Sequence, residues 1–109
     1  MGSERNERGN YVIAWEFRVR PEMESRFEQA YGPHGPWVQC FSQSPEYIAT
    51  ELIRDVNDSR RYLTIDLWTS RAAYERFREQ NREQYAAIDA ECEPMSEREI
   101  EIGKFEVVR

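Results

Sequence analysis

The strongest constraint on the fold lies between Tyr11 and Val19. Tyr11, Ile13, Trp15, Phe17 and Val19 alternate with Val12, Ala14, Glu16 and Arg18. A period of two belongs to an extended strand, here with one strongly apolar face that must pack on another layer. Arg20-Pro21 ends the strand, because proline brings no N–H to a ladder and presets a first helical turn. The periodicity then changes. Met23, Phe27, Ala30 and Tyr31 recur at helical spacing, Glu22 and Glu24 suit the positive end of a helix dipole, and Gly32-Pro33 is a stop. These features predict a helix from about Pro21 to Tyr31.

Residues 32–45 are irregular, rich in Gly and Pro yet carrying His34, Trp37 and Phe41, with a short helix expected over Trp37 to Phe41. Such loops in compact domains are often functional. Tyr47 to Arg54 and Arg61 to Trp68 read as strands. The turn cluster Asp55 to Ser59 joins them into an antiparallel hairpin. In the third strand Leu63, Ile65 and Leu67 lie on one face, and Tyr62, Thr64, Asp66 and Trp68 on the other. Thr69 or Ser70 caps a second helix, predicted to run to about Glu91 on the stripe Ala73, Tyr74, Phe77, Asn81, Tyr85 and Ile88. Glu99 to Val108 reads as the last strand.

The order β-α-β-β-α-β is the split, ferredoxin-like α+β arrangement. Right-handed crossovers place both helices on one face of a four-stranded antiparallel sheet. The strands are apolar on both faces, with Val12 and Ala14 opposite Ile13 and Trp15. A second copy packed sheet to sheet would bury the uncovered face, so a homodimer is expected.

At 109 residues the chain suits one domain, read as residues 10–109 behind a flexible lead-in over residues 1–9. The net charge is −6 with acids and bases interspersed, and no basic stripe exists to neutralise phosphates, so nucleic acid is not an expected partner. No apolar run is long enough for a bilayer, and the polar start lacks the apolar stretch of a signal peptide. Two cysteines, Cys40 and Cys92, form no CxxC pair and are expected as free thiols in a reducing cytoplasm. One histidine and two distant cysteines do not assemble an ordinary metal site. Glycine-rich nucleotide loops and a GxSxG elbow are absent from the sequence.

His34 is the only histidine, the one side chain whose ordinary pKa suits acid–base work near neutrality, and its loop could fold over a pocket mouth. Glu16, Glu51 and Asp66 lie mid-strand. They either cluster as carboxylates of raised pKa or pair with strand arginines such as Arg18 and Arg54 across a dimer interface.

Two stretches resemble a known family. Residues 11–21, YVIAWEFRVRP, look like the first strand and turn of antibiotic biosynthesis monooxygenase (ABM) domains. Residues 62–77, YLTIDLWTSRAAYERF, look like their third strand running into the second helix. The resemblance implies a dimeric α/β barrel, two ferredoxin-like protomers joined through their sheets, with a substrate pocket between sheet and helices. It also implies oxidation of a small aromatic or quinol-like substrate without metal or flavin, because an electron-rich phenol can pass an electron directly to dioxygen. Trp68 and Tyr74 match pocket-lining positions and, with His34, are the catalytic candidates; Trp37, Trp15, Phe77 and Arg82 are the substrate-binding ones. The chain departs from the pattern at Thr64, where an amide is expected, and at Ile88, where an arginine is expected. The axial histidine of the haem-degrading branch is replaced by Arg78. The alternative reading is a non-catalytic small-ligand-binding or interaction module on the same barrel.

Overall fold

A computed structural model describes residues 10–109; the lead-in assigned to residues 1–9 lies outside the described residues. Four strands, β1 (Tyr11–Val19), β2 (Tyr47–Arg54), β3 (Arg61–Trp68) and β4 (Ser96–Glu106), form one antiparallel sheet in the order β2-β3-β1-β4. The helical layer contains α1 (Glu24–Tyr31), α2 (Pro36–Phe41), α3 (Arg71–Gln80) and α4 (Arg82–Cys92), followed by a 3₁₀ turn at Glu93–Met95. The α+β, ferredoxin-like expectation holds, with the helical layer divided more finely than the sequence pattern indicates.

Two of those divisions have local causes. The first helix starts at Glu24 rather than Pro21 because Glu22 adopts a left-handed backbone (φ 70°) that no helix accommodates. Met23 donates its N–H to the Arg20 carbonyl (3.1 Å), closing a turn before the helix begins. The predicted long second helix is two helices. Asn81 leaves helical geometry (φ −120°, ψ 30°), and both its backbone N–H and its side-chain Nδ2 donate to the Phe77 carbonyl, at 2.9 and 3.0 Å. Asparagine competes for backbone acceptors in this way and breaks helices. Ser70 caps α3 by accepting the Ala73 N–H at 3.0 Å.

The sheet sorts its side chains cleanly. Tyr11, Ile13, Phe17 and Val19 of β1, with Tyr62, Thr64, Asp66 and Trp68 of β3, are buried beneath the helices. The register places Tyr11 opposite Trp68, Phe17 opposite Tyr62, and Thr50 of β2 opposite Asp66. A bulge in β4 falls where Ala14 pairs Gly103 but Trp15 pairs Glu101. The other face carries Val12, Leu63, Ile65 and Leu67, half-buried, with Ile53, Ile100 and Phe105 exposed. No helix among the described residues is long and apolar enough to cross a membrane.

Candidate functional site

Between the helix-covered sheet face and α1, α2 and α4 lies a narrow cavity. Its walls are aromatic. Trp15 comes from β1, Tyr31 from the last turn of α1, Trp37 and Phe41 from α2, and Tyr85 from α4. The short helix α2 exists because Gly35 and Pro36 start it, and its buried residues Trp37, Cys40 and Phe41 face inward. Trp37 meets Tyr85 edge-on (centroids 4.8 Å) and Tyr31 at 6.1 Å. Polar groups line it as well: Thr50, Thr64 and Asp66 project from the sheet, while Asp89 and Glu99 are exposed at its solvent end. The open volume is about 40 Å³. That holds water, whereas pockets for drug-sized ligands run to roughly 300–1,000 Å³. An aromatic ring must therefore displace wall side chains to enter.

Asp66 is the chemically distinctive group. It is 8% exposed, and its Oδ1 accepts a hydrogen bond from the Thr50 hydroxyl at 2.7 Å. Thr50 Oγ1 in turn accepts from the Tyr47 hydroxyl, also at 2.7 Å, so the hydrogen of Thr50 is committed to the carboxylate. Burial raises the Asp66 pKa to about 6, against the lowering effect of the Thr50 hydrogen bond. Burial likewise raises Tyr31 and Tyr85, and Glu99 is raised by desolvation together with the negative charges of Asp89 and Glu93. Arg78 donates to the Tyr74 hydroxyl at 2.9 Å, and its guanidinium lies 3.8 Å over the Tyr85 ring, fixing both tyrosines from the helix side.

The residues singled out from the sequence separate into three places. Trp15 and Trp37 line the cavity. Trp68, Tyr74 and Phe77 form a packed cluster behind it. Trp68 is fully buried, with ring centroids 5.4 Å from Tyr74, 5.2 Å from Phe77 and 5.3 Å from Tyr47. Phe41 stands between the two groups, 5.7 Å from both Trp37 and Trp68. His34 and Arg82 are elsewhere. His34 is exposed in a surface depression beside Glu28 and Gln29, and Arg82 is exposed and paired with Glu79 at 3.4 Å. The mid-strand carboxylates also part company. Glu16 pairs with Arg61 (2.8 Å), Glu51 is exposed, and Asp66 is enclosed with no arginine partner among the described residues. Arg18 and Arg54 pair with Asp58 and Glu28 within the protomer.

Thr50, Tyr47 and Tyr85 received no site role from the sequence, and Asp66 entered only as one of three mid-strand carboxylates that either cluster with raised pKa or pair with arginines. A signal for Asp66 was present, since Asp66 and Trp68 are two residues apart on one strand and must share a face. Among the described residues no three His, Cys, Asp or Glu side chains converge in a way that could hold a metal ion.

The chain was compared with known proteins. Curated protein sequences gave no match. The fold matches SnoaB, a cofactor-independent oxygenase from Streptomyces nogalater, with a TM-score of 0.73 and 17% identity over 93% of this chain and 95% of that one. An antibiotic biosynthesis monooxygenase homologue from Caulobacter crescentus gives 0.75 and 16% over 93% and 92%. PA3566 from Pseudomonas aeruginosa gives 0.66 and 14% over 93% and 96%. At these identities the likeness is one of fold. The family model described as antibiotic biosynthesis monooxygenase matches residues 10–89, which span three of the four strands, α1 to α3 and α4 as far as Asp89. With most of its length matched in sequence and nearly all of it in fold, the chain belongs to the antibiotic biosynthesis monooxygenase family.

Proposed function

We propose that the protein is a cofactor-independent monooxygenase for a small aromatic or quinol-like substrate. The observation that carries this reading is the aromatic-walled cavity with a carboxylate enclosed among its lining residues. An electron-rich phenol gives up an electron to dioxygen once it is deprotonated and shielded from water. The protein's work is then to stack the ring, hold it and exclude solvent. Trp15 and Trp37 supply faces for the ring. Trp68, Tyr74 and Phe77 back the wall through Phe41. The test is oxygen consumption with hydroquinone, catechol and naphthol in chelator-treated buffer. Activity is expected in the wild type and a loss of about 10-fold or more in Trp37→Ala, the order of one misplaced substrate contact. A wild type that consumes no oxygen with any of them sinks the reading.

A second reading, binding without turnover, is favoured by one observation: Trp68 and Tyr74, the residues matched to family pocket positions, are packed behind the cavity. Quenching of tryptophan fluorescence by these phenols with no oxygen consumed would select it. The apolar sheet face formed by Val12, Leu63, Ile65 and Leu67 supports a homodimer joined sheet to sheet. A monomer by light scattering at micromolar concentration would count against that assembly. Cys40 and Cys92 are free and buried, which supports a reducing compartment, the cytoplasm.

A further inference from the structure

We propose that Asp66 is the catalytic base that removes the phenolic proton of the bound substrate. The inference rests on the oxygenase reading above and assigns its first chemical step to one side chain.

Three features of the geometry support it. Asp66 lines the same cavity as Trp15 and Trp37, the residues proposed to supply faces for the ring. The chain Tyr47 to Thr50 to Asp66 occupies Oδ1 only. Among the described residues no donor reaches Oδ2, which leaves that oxygen as the acceptor available to a ligand. Finally, no arginine or lysine among the described residues pairs with Asp66, so none of them holds this carboxylate in a salt bridge. A base needs an ionised form that is populated yet avid for a proton, and burial with one neutral donor provides that.

In the step itself the substrate O–H bond breaks, its electron pair stays on the phenolate oxygen, and the proton passes to Oδ2. The Thr50 hydrogen bond holds the carboxylate plane throughout. Dioxygen then takes an electron from the phenolate, as in the reading above. Other titratable groups share the cavity: Tyr31 of α1, Tyr85 and Asp89 of α4, and Glu99 of β4. Arg78 of α3 is engaged by Tyr74 and Tyr85. Of these, Asp89 and Glu99 are the other carboxylates, so Glu99→Gln and Asp89→Asn are the controls.

The experiment measures oxygen consumption with hydroquinone across pH 4.5–8.5, and hydroquinone binding by tryptophan fluorescence. Wild-type kcat/KM is expected to rise through a midpoint near 6, the value to which burial lifts Asp66. Asp66→Asn should lower kcat by about 100-fold or more, abolish that limb and keep binding within a few-fold. Thr50→Val removes the hydrogen bond that lowers the Asp66 pKa, so its limb should move to higher pH. The two controls should keep the limb. An Asp66→Asn protein that consumes oxygen at the wild-type rate overturns the role of Asp66 and leaves the oxygenase reading standing. A limb lost in Glu99→Gln or Asp89→Asn, but kept in Asp66→Asn, moves the base to the cavity mouth. No consumption by the wild type overturns both claims.

Discussion

In the middle of β3 the two faces of the sheet reverse the usual association of apolar with buried. The face beneath the helices carries Thr64 and Asp66 in β3, with Thr50 beside them, among its aromatic rings. The face with no helical cover is the aliphatic one, built on Val12, Leu63, Ile65 and Leu67, with exposed Ile53, Ile100 and Phe105 at its sides. Hydropathy alone assigns the faces of β3 backwards. The polar groups under the helices line the cavity. The aliphatic groups lie open because, in the dimer proposed above, a second sheet covers them. An enclosed carboxylate and an exposed aliphatic patch are each costly in a monomer with no ligand, and each points to something the isolated chain lacks.

Substitutions that act on one face only can break this contrast. The largest expected effect is at Trp68, on the helix-covered face. Trp68→Ala should destabilise the fold by about 3–5 kcal/mol, as read from denaturant unfolding, because the ring is fully enclosed by Tyr47, Phe41, Tyr74 and Phe77. Trp68→Phe should cost much less and keep most of the activity, because the indole Nε1 has no hydrogen-bond partner among the described residues. A collapse of kcat in a folded Trp68→Phe protein would place Trp68 in the chemistry rather than in the packing.

Asp66→Asn should act in the opposite direction. The folded-state pKa lies near 6 and the ordinary value is 3.8, so between these values the folded chain binds the proton more tightly than the unfolded one. Stability from this group is therefore highest below about pH 4, falls as pH rises through 6, and stays low above that. Asparagine keeps the acceptor for Thr50 without the buried charge. The variant should be more stable than wild type by about 3 kcal/mol at pH 7, with the gain vanishing below pH 4. Thermal unfolding at both pH values checks this. A variant less stable at pH 7 would mean that the charge is compensated.

On the open face, Ile65→Glu should leave the protomer fold intact, with a change of about 0.5 kcal/mol or less in a dilute monomer, while shifting the dimer to monomer by light scattering. Equal assembly in the two proteins would mean that the aliphatic face is not the interface. The smallest effect belongs to neither face. Ser70→Ala removes the α3 cap and should cost about 1 kcal/mol. That value sets the scale of an ordinary local loss against which the others are read.

The strands were legible because their period is strict. Tyr11–Val19, Tyr47–Arg54 and Arg61–Trp68 run as their alternation indicates. The helix ends were less so. Nothing in the composition of residues 21–24 announces a left-handed Glu22, and Asn81 fits the apolar stripe of a continuous helix until its side chain is seen bonded to the Phe77 carbonyl. The break matters to the site, because it lets α3 pack on Trp68 while α4 brings Tyr85 over the cavity. Trp15 and Trp37 were readable as aromatic candidates. Asp66 was not, because distinguishing an enclosed carboxylate from one paired with a strand arginine requires knowing which face of β3 the helices cover. His34 drew notice for its chemistry alone, and the loop geometry carries it to the outer surface.

Gly35 has a mechanical consequence. A Cβ there would lie 2.3 Å from the carbonyl oxygens of both Gln29 and Ala30, so the chain entering α2 is pressed directly onto the last turn of α1. Tyr31, Trp37 and Phe41 thus ride on one rigid corner. Opposite them, Tyr85 and Asp89 ride on α4, which is joined to α3 through the non-helical Asn81. The cavity thus sits between a corner closed by direct backbone contact and a wall that reaches the sheet through a break in its helix.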